Sequence, residues 1–239
     1  MNTKFKIVLG ITYILCFGAL ILTVFNYLDF RELNNFYYIK SKSEILLSFK
    51  ETHAIIFVLI FFIFSIVWIL LLGFATPILL VSGFIFGKWY GTLISVLSFS
   101  IGCTILYIFA TFYLKDFLFN YLEKKIYKYK NLFSKNEFLY FLLFRFTGGP
   151  GIPFAIQNLL PVIFNMKVKN YFNATILGLM PSIFIFNSLG SGINSLIEKN
   201  ESIDYLDALR DPAIYTPVLA FMLIIILSFI LKKKFFKNN

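Results

Sequence analysis

The sequence predicts an all-α polytopic membrane protein built as an inverted repeat of a re-entrant hairpin plus a transmembrane helix, with further transmembrane helices on either flank. Three observations predict it. Hydrophobic residues make up 59% of the 239 and charged residues only 14%, too apolar a balance for the surface of a soluble domain. Long apolar runs fill most of the chain and leave short polar connectors. Some runs are too short to cross a bilayer and are bounded by Gly and Pro, as in segments that enter and turn back.

The first run, Ile7 to Leu28, follows Lys4 and Lys6. Its length favours a transmembrane helix over the shorter apolar core of a signal peptide. The connector Asp29 to His53 balances basic and acidic residues, and His53 reads as an interfacial residue. Ala54 to Leu72 is long enough to span outright or to form the first arm of a hairpin, and both readings stand at this point. It ends at Gly73-Phe74-Ala75-Thr76, where Thr76 would cap a new helix whose first residue is Pro77. Ile78 to Phe86 is then the short returning arm, and Gly91 to Leu114 a full span.

The plan recurs after the connector Lys115 to Glu137. Phe138 to Phe146 and Ile152 to Phe164 are short runs separated by Thr147-Gly148-Gly149-Pro150-Gly151 and followed at Pro153 by another break. No helix passes through that composition intact. Tyr171 to Ile193 is the next span and Ala213 to Leu231 the last. Residues 1–53 thus hold the first helix and a connector, 54–193 the core with two opposed hairpins, and 194–239 an acidic loop, the last helix and a basic tail.

Charge sets the expected orientation. The connector Lys115 to Glu137 carries six lysines, and Lys232-Lys233-Lys234 follows the last span, which places both on the cytoplasmic side. The acidic stretch Glu198 to Asp211 then faces outward, and both termini face in. The formal net charge of +10 does not point to nucleic acid, because the basic residues lie beside apolar runs as they do at membrane surfaces. A bacterial inner membrane is the expected location.

Arg145 is the residue that demands chemistry. It lies eight residues beyond Glu137, about 12 Å along a helix and deep in the hydrocarbon. A charge there costs on the order of 2.5–3.5 kcal/mol and needs a partner. No Asp or Glu lies inside any apolar run, so backbone carbonyls, water or a ligand anion remain. A structural role as the C-terminal cap of its own half-helix competes with an anion site formed with the helix starts at Pro153 and Pro77. Gln157 and Asn158, one turn into the returning arm, offer amide donors to a headgroup or to a neighbouring helix, and Thr76 faces the same region from the other hairpin. Phe141, Gly83, Gly87, Gly91, Gly102, Gly178 and Pro181 read as packing positions. Cys16 and Cys103 lie in apolar runs without metal-ligand or disulfide spacing, and His53 is the only histidine. No cofactor or metal site and no enzyme site is legible.

The motifs Pro77-x5-Gly83-x2-Phe86-Gly87 with Gly91-Thr92, and Phe141-x3-Arg145 with Pro153-Phe154, Asn158, Gly178, Pro181 and Leu189-Gly190, carry a likeness. Over roughly residues 70–192 the chain resembles the SNARE-associated Golgi protein family, the VTT-domain branch of the DedA superfamily. The resemblance implies opposed re-entrant hairpins and the movement of lipids between leaflets, by scrambling in eukaryotic relatives and polyprenyl-phosphate transport in some bacterial ones. Partners on this reading are membrane lipids with anionic headgroups. A small-oxyanion permease and a non-transporting membrane-organising protein are the alternatives. Proton-coupled relatives carry acidic residues around the first hairpin, whereas Ala54 to Tyr90 has none, which points away from proton coupling there.

Overall fold

The computed structural model describes residues 36–116, 136–146, 152–199 and 210–236, with Gly18 and Phe133 besides. Every element among them is helical. The run at residues 7–28, the Gly-Pro break at 147–151 and most of the two charged connectors lie outside the described residues. The chain divides into two units, Met1–His53 and Ala54–Asn239. In the first unit the stretch expected as a plain connector contains a helix, α1 (Phe36–Thr52). Its Ser41, Ser43, Ser48 and Thr52 hydroxyls donate to carbonyls one turn back.

The second unit begins with α2 (Ala54–Leu70), which is apolar but for Ser65, whose hydroxyl donates to Phe61 O one turn back. It stops in a tight reversal where the Leu72 N–H donates to Ile69 O and the Gly73 N–H to Trp68 O. That pair of bonds is a Schellman closure, and its left-handed residue is Leu72, with φ 55°, where glycine is usual. Gly73 is needed next door for a different reason. Any side chain there would strike the Trp68 ring, whose Nε1 donates to Phe74 O at 2.8 Å. The next helix, α3 (Ala75–Tyr113), has Phe74 as its N-cap with no side-chain bond. Thr76 is therefore not the cap: it sits exposed in the first turn, and the helix starts two residues before Pro77. Proline is tolerated there because first-turn N–H groups have no helical partner.

Gly87 interrupts α3 with φ 75° and ψ 173°. Ser95 Oγ donates to Ser82 Oγ at 2.9 Å, and Ser82 Oγ donates to Gly91 O at 3.2 Å. Thirteen residues of unbroken helix would hold Ser82 and Ser95 about 20 Å apart, so the chain folds back at Gly87. Gly87 was expected to be a packing glycine, yet a Cβ there would meet nothing within 4 Å. Its role is the positive φ that reverses the chain. Residues 75–86 thus lie against α2, with Phe86 touching Phe57 and Phe61, while Gly102 on the far arm meets Ile66 and Ile69.

A second reversal follows. In α4 (Glu137–Phe146), Arg145 bonds Asn158 of α5 (Phe154–Leu159), residues about 20 Å apart in a continuous helix. Pro153 is the N-cap of α5. The returning run, expected over Ile152 to Phe164, holds only this short helix and one 3-10 turn, Leu160–Val162. Pro161 is the reason, since it has no N–H to continue the ladder.

The remaining helices are α6 (Val168–Lys199) and α7 (Pro212–Phe236). Of the described helices, α3 and α6 are each long and apolar enough to cross a membrane. Residues 88–113 run antiparallel to α6: Tyr107 stacks on Tyr171 at 4.4 Å, and Trp89 meets Phe184 at 5.1 Å. The buried positions of α6 recur as Tyr171, Ala174, Thr175, Gly178, Ile183, Asn187 and Gly190, a stripe at helical spacing. Its glycines admit backbone on both sides. Gly178 lies against Arg145 and Leu142 of α4, and Gly190 against the backbone of Leu80 and Phe84. Small residues let helices approach closely where lipid gives no hydrophobic drive to associate. Pro181, half-buried within α6, removes one ladder bond between those two contacts.

Candidate anion site at Arg145

Glu137 ties the first turn of α4 to the start of α6. Its carboxylate accepts from the Lys167 N–H and from Asn170 Nδ2 at 2.6 Å. Two turns further, Arg145 is fully buried, the only buried charged side chain among the described residues. Its Nη2 donates to Asn158 Oδ1 at 2.6 Å and to Tyr171 Oη at 2.9 Å. Tyr171 in turn donates to the Asn158 carbonyl at 3.3 Å. One guanidinium nitrogen therefore joins α4, α5 and α6. These bonds leave α4's own terminal carbonyls aside, so the side chain does not act as the cap of its helix among the described residues.

Aromatic rings enclose the charge. The guanidinium carbon lies 4.8 Å from the centre of Phe141 and 5.6 Å from those of Phe154 and Tyr171. Phe141 is fully buried and stacks on Tyr171, and Cys103 of α3, also fully buried, lies beside the guanidinium. A cation near ring faces gains about 0.5–2 kcal/mol per contact without engaging its N–H groups. Those groups are the unfinished part. Arg145 Nε and Nη1 and Asn158 Nδ2 are buried with no hydrogen-bond partner among the described residues. A buried polar group left unmatched costs about 1–3 kcal/mol, more when charged. Donors in excess, in an apolar shell and with no carboxylate bonded to them, are what a singly or doubly charged oxyanion requires.

The chain belongs to the VTT-domain family. A family model of the VTT domain, the domain of SNARE-associated Golgi and DedA proteins, matches residues 73–192, half of the chain. No solved structure matches it. The match starts at the Gly73 reversal and ends just beyond the Gly190 contact, so it leaves out α2 and covers α3, α4, α5 and most of α6. With its long apolar helices, this VTT-domain protein is an integral membrane protein.

Of the expected site residues, Arg145 and Asn158 meet directly, with Phe141 and Gly178 as their walls. Gln157 turns away, donating through Nε2 to Ile152 O at 2.7 Å, where it braces the start of α5. Thr76 is exposed and shares no hydrogen bond with the cluster. At six residues, α5 is also too short for the macrodipole expected of it, so the positive potential rests on the arginine. Tyr171 and Tyr107 were not singled out from sequence, although Tyr171 completes the Arg145 network and Tyr107 stacks on it while donating to Met166 O. The available signal was a tyrosine hydroxyl inside each apolar span, which needs a partner there.

Proposed function

We propose that this VTT-domain protein moves a phosphate-headgroup lipid between leaflets, with Arg145 as the headgroup-binding cation and Asn158 as its co-donor. The carrying observation is the set of unmatched donors on Arg145 and Asn158, fully buried among aromatic rings. Apolar walls around a lone cation suit a headgroup that brings acyl or prenyl chains with it more than a hydrated small oxyanion. On this reading the two folded-back segments are re-entrant hairpins entering from opposite faces, α2 with residues 75–86 from one and α4 with α5 from the other. The basic connector and both termini are cytoplasmic, and the membrane is the bacterial inner membrane. Transport is passive or driven by a gradient other than protons, because residues 54–90 supply no carboxylate to titrate.

Reconstituted liposomes test the site. Labelled-lipid flipping should fall by about two orders of magnitude in Arg145→Ala, the loss of charge-assisted bonds at about 1.5–3 kcal/mol each. Arg145→Lys should retain part of the rate, keeping the charge and losing the planar fork. An anionic lipid should raise the melting temperature of the native protein and not that of Arg145→Ala. Equal stabilisation of the two, or anion flux without lipid flipping, removes the lipid from Arg145. Orientation is read separately: Lys124→Cys should react with an impermeant maleimide only from the cytoplasmic face and Asp204→Cys only from outside.

A further inference from the structure

A second polar feature lies far from Arg145. A groove of about 390 Å³ opens where α6 and α7 meet the start of the 88–113 arm; its walls are mostly apolar, Phe184 among them, with polar atoms from Lys88, Ser188, Ser191, Ser195 and Thr216. Ser188 is ten residues beyond Gly178, about 15 Å along α6, so the groove is distinct from the arginine cluster. Lys88 is exposed, and its ammonium makes no ion pair or hydrogen bond among the described residues. Among the described residues, Asp211 accepts from the Ala213 N–H and Glu198 from Asn194 Nδ2.

The hydroxyls give the groove a definite polarity. Ser188 donates to Phe184 O, Ser195 to Ser191 O and Thr216 to Pro212 O, each one turn back along its own helix. With their protons directed to those carbonyls, these lining hydroxyls keep oxygen lone pairs with which to accept. One cation beside several acceptors is the reverse of the Arg145 site, which offers donors only. It matches a phosphate ester whose other end carries N–H or O–H donors.

We propose that this groove is a headgroup-docking site for a phospholipid bearing a primary ammonium, with Lys88 on the phosphate and the Ser188, Ser195 and Thr216 oxygens on the ammonium. The ligand class is taken over from the lipid reading of Arg145, and the site would hold a headgroup at the membrane surface before or after its passage. A choline headgroup has the same charges and no N–H, so it satisfies Lys88 and leaves the hydroxyl oxygens unmatched.

Trp89 provides a local probe, since it adjoins Lys88 and touches Phe184 of the groove, and Trp68 is the only other tryptophan. In a full-length Trp68→Phe protein, short-chain phosphatidylethanolamine should change Trp89 emission saturably, and phosphatidylcholine should bind about tenfold more weakly, a single lost set of hydrogen bonds. Lys88→Gln should weaken phosphatidylethanolamine about tenfold as well. Ser188→Ala with Thr216→Val should abolish the preference between the two lipids while leaving binding of phosphatidic acid. Equal binding of the two lipids by the parent, or no effect of Lys88→Gln, overturns the proposal. Should Trp68→Phe fail to fold, native mass spectrometry of the unsubstituted chain and of Lys88→Gln gives the same comparison. Competition by free phosphoethanolamine assigns recognition to the headgroup alone, and its failure beside lipid binding assigns it to the intact lipid; either supports the site. Arg145→Ala separates the two readings. If it leaves flipping intact, the lipid reading of Arg145 fails while the Trp89 titration stands; if it abolishes that titration, the separate groove fails.

Discussion

The two folded-back segments share a packing plan and differ in chemistry. Each presses a short helix against α6 at a glycine, residues 75–86 at Gly190 and α4 at Gly178. Each also buries polar groups beside that contact. At the first, Ser95, Ser82 and Gly91 form a neutral chain of hydrogen bonds, and Asn187 donates to Ile183 O while its Oδ1 stands unmatched. At the second, a full positive charge is enclosed with several N–H groups unmatched. Neutral hydroxyls donate to one another and to a carbonyl across the reversal at little cost, so the first cluster is left with one unmatched amide oxygen and no charge. A guanidinium with five donors cannot be satisfied by one amide and one phenol. Similar backbone thus leaves one end neutral with a single acceptor unmatched and the other charged with several donors unmatched, and the charged end is where an anionic ligand adds most.

The contrast can be broken at the backbone first. Gly190→Val would drive a side chain into the Leu80 carbonyl, and overpacking against backbone should abolish folding or lower the melting temperature by more than any other change considered. A circular-dichroism melt checks it; an unchanged midpoint would mean that α6 does not pack this way. A comparison at the side chains comes next. Asn187→Leu should leave lipid flipping within about twofold, since the cluster is neutral and structural, against the loss of about two orders of magnitude at Arg145→Ala. Comparable losses at both sites would make the two clusters parts of one pathway.

Tyr171→Phe is a finer probe. It keeps the ring stacked between Tyr107 and Phe141 but removes the acceptor for Arg145 Nη2 and the donor to Asn158 O. About tenfold slower flipping is expected, the equivalent of roughly 1.4 kcal/mol of lost positioning, with the melting temperature lowered modestly. The smallest effect should come from an imposed pH difference across the liposome, which should leave the flipping rate unchanged. A steep dependence would show that a carboxylate outside residues 54–90 is coupled to transport.

Much of this was legible in the residues. Apolar runs marked where the described helices from α2 onward lie, though not α1, because in hydrocarbon a backbone must bond to itself and long apolar helices follow. Arg145 was found for the same reason: a charge at that depth has no bland place to sit. Its pairing with Asn158 was half-visible from the Gly-Pro break, which forces the chain to return past it.

What the sequence by itself determined, then, is the solvent of this protein, the number and rough length of its apolar segments, and the one charge they must accommodate. Tertiary structure decided the rest. It turned Gln157 aside and left Thr76 exposed, made Gly87 a reversal where packing was expected, and let Leu72 take the left-handed position next to Gly73. It also brought Tyr171 to Arg145 from twenty-six residues away. The physical reason is range: periodicity and hydropathy act over a turn or two of chain, whereas a hydrogen bond between helices depends on which faces the packed backbone brings within 3 Å.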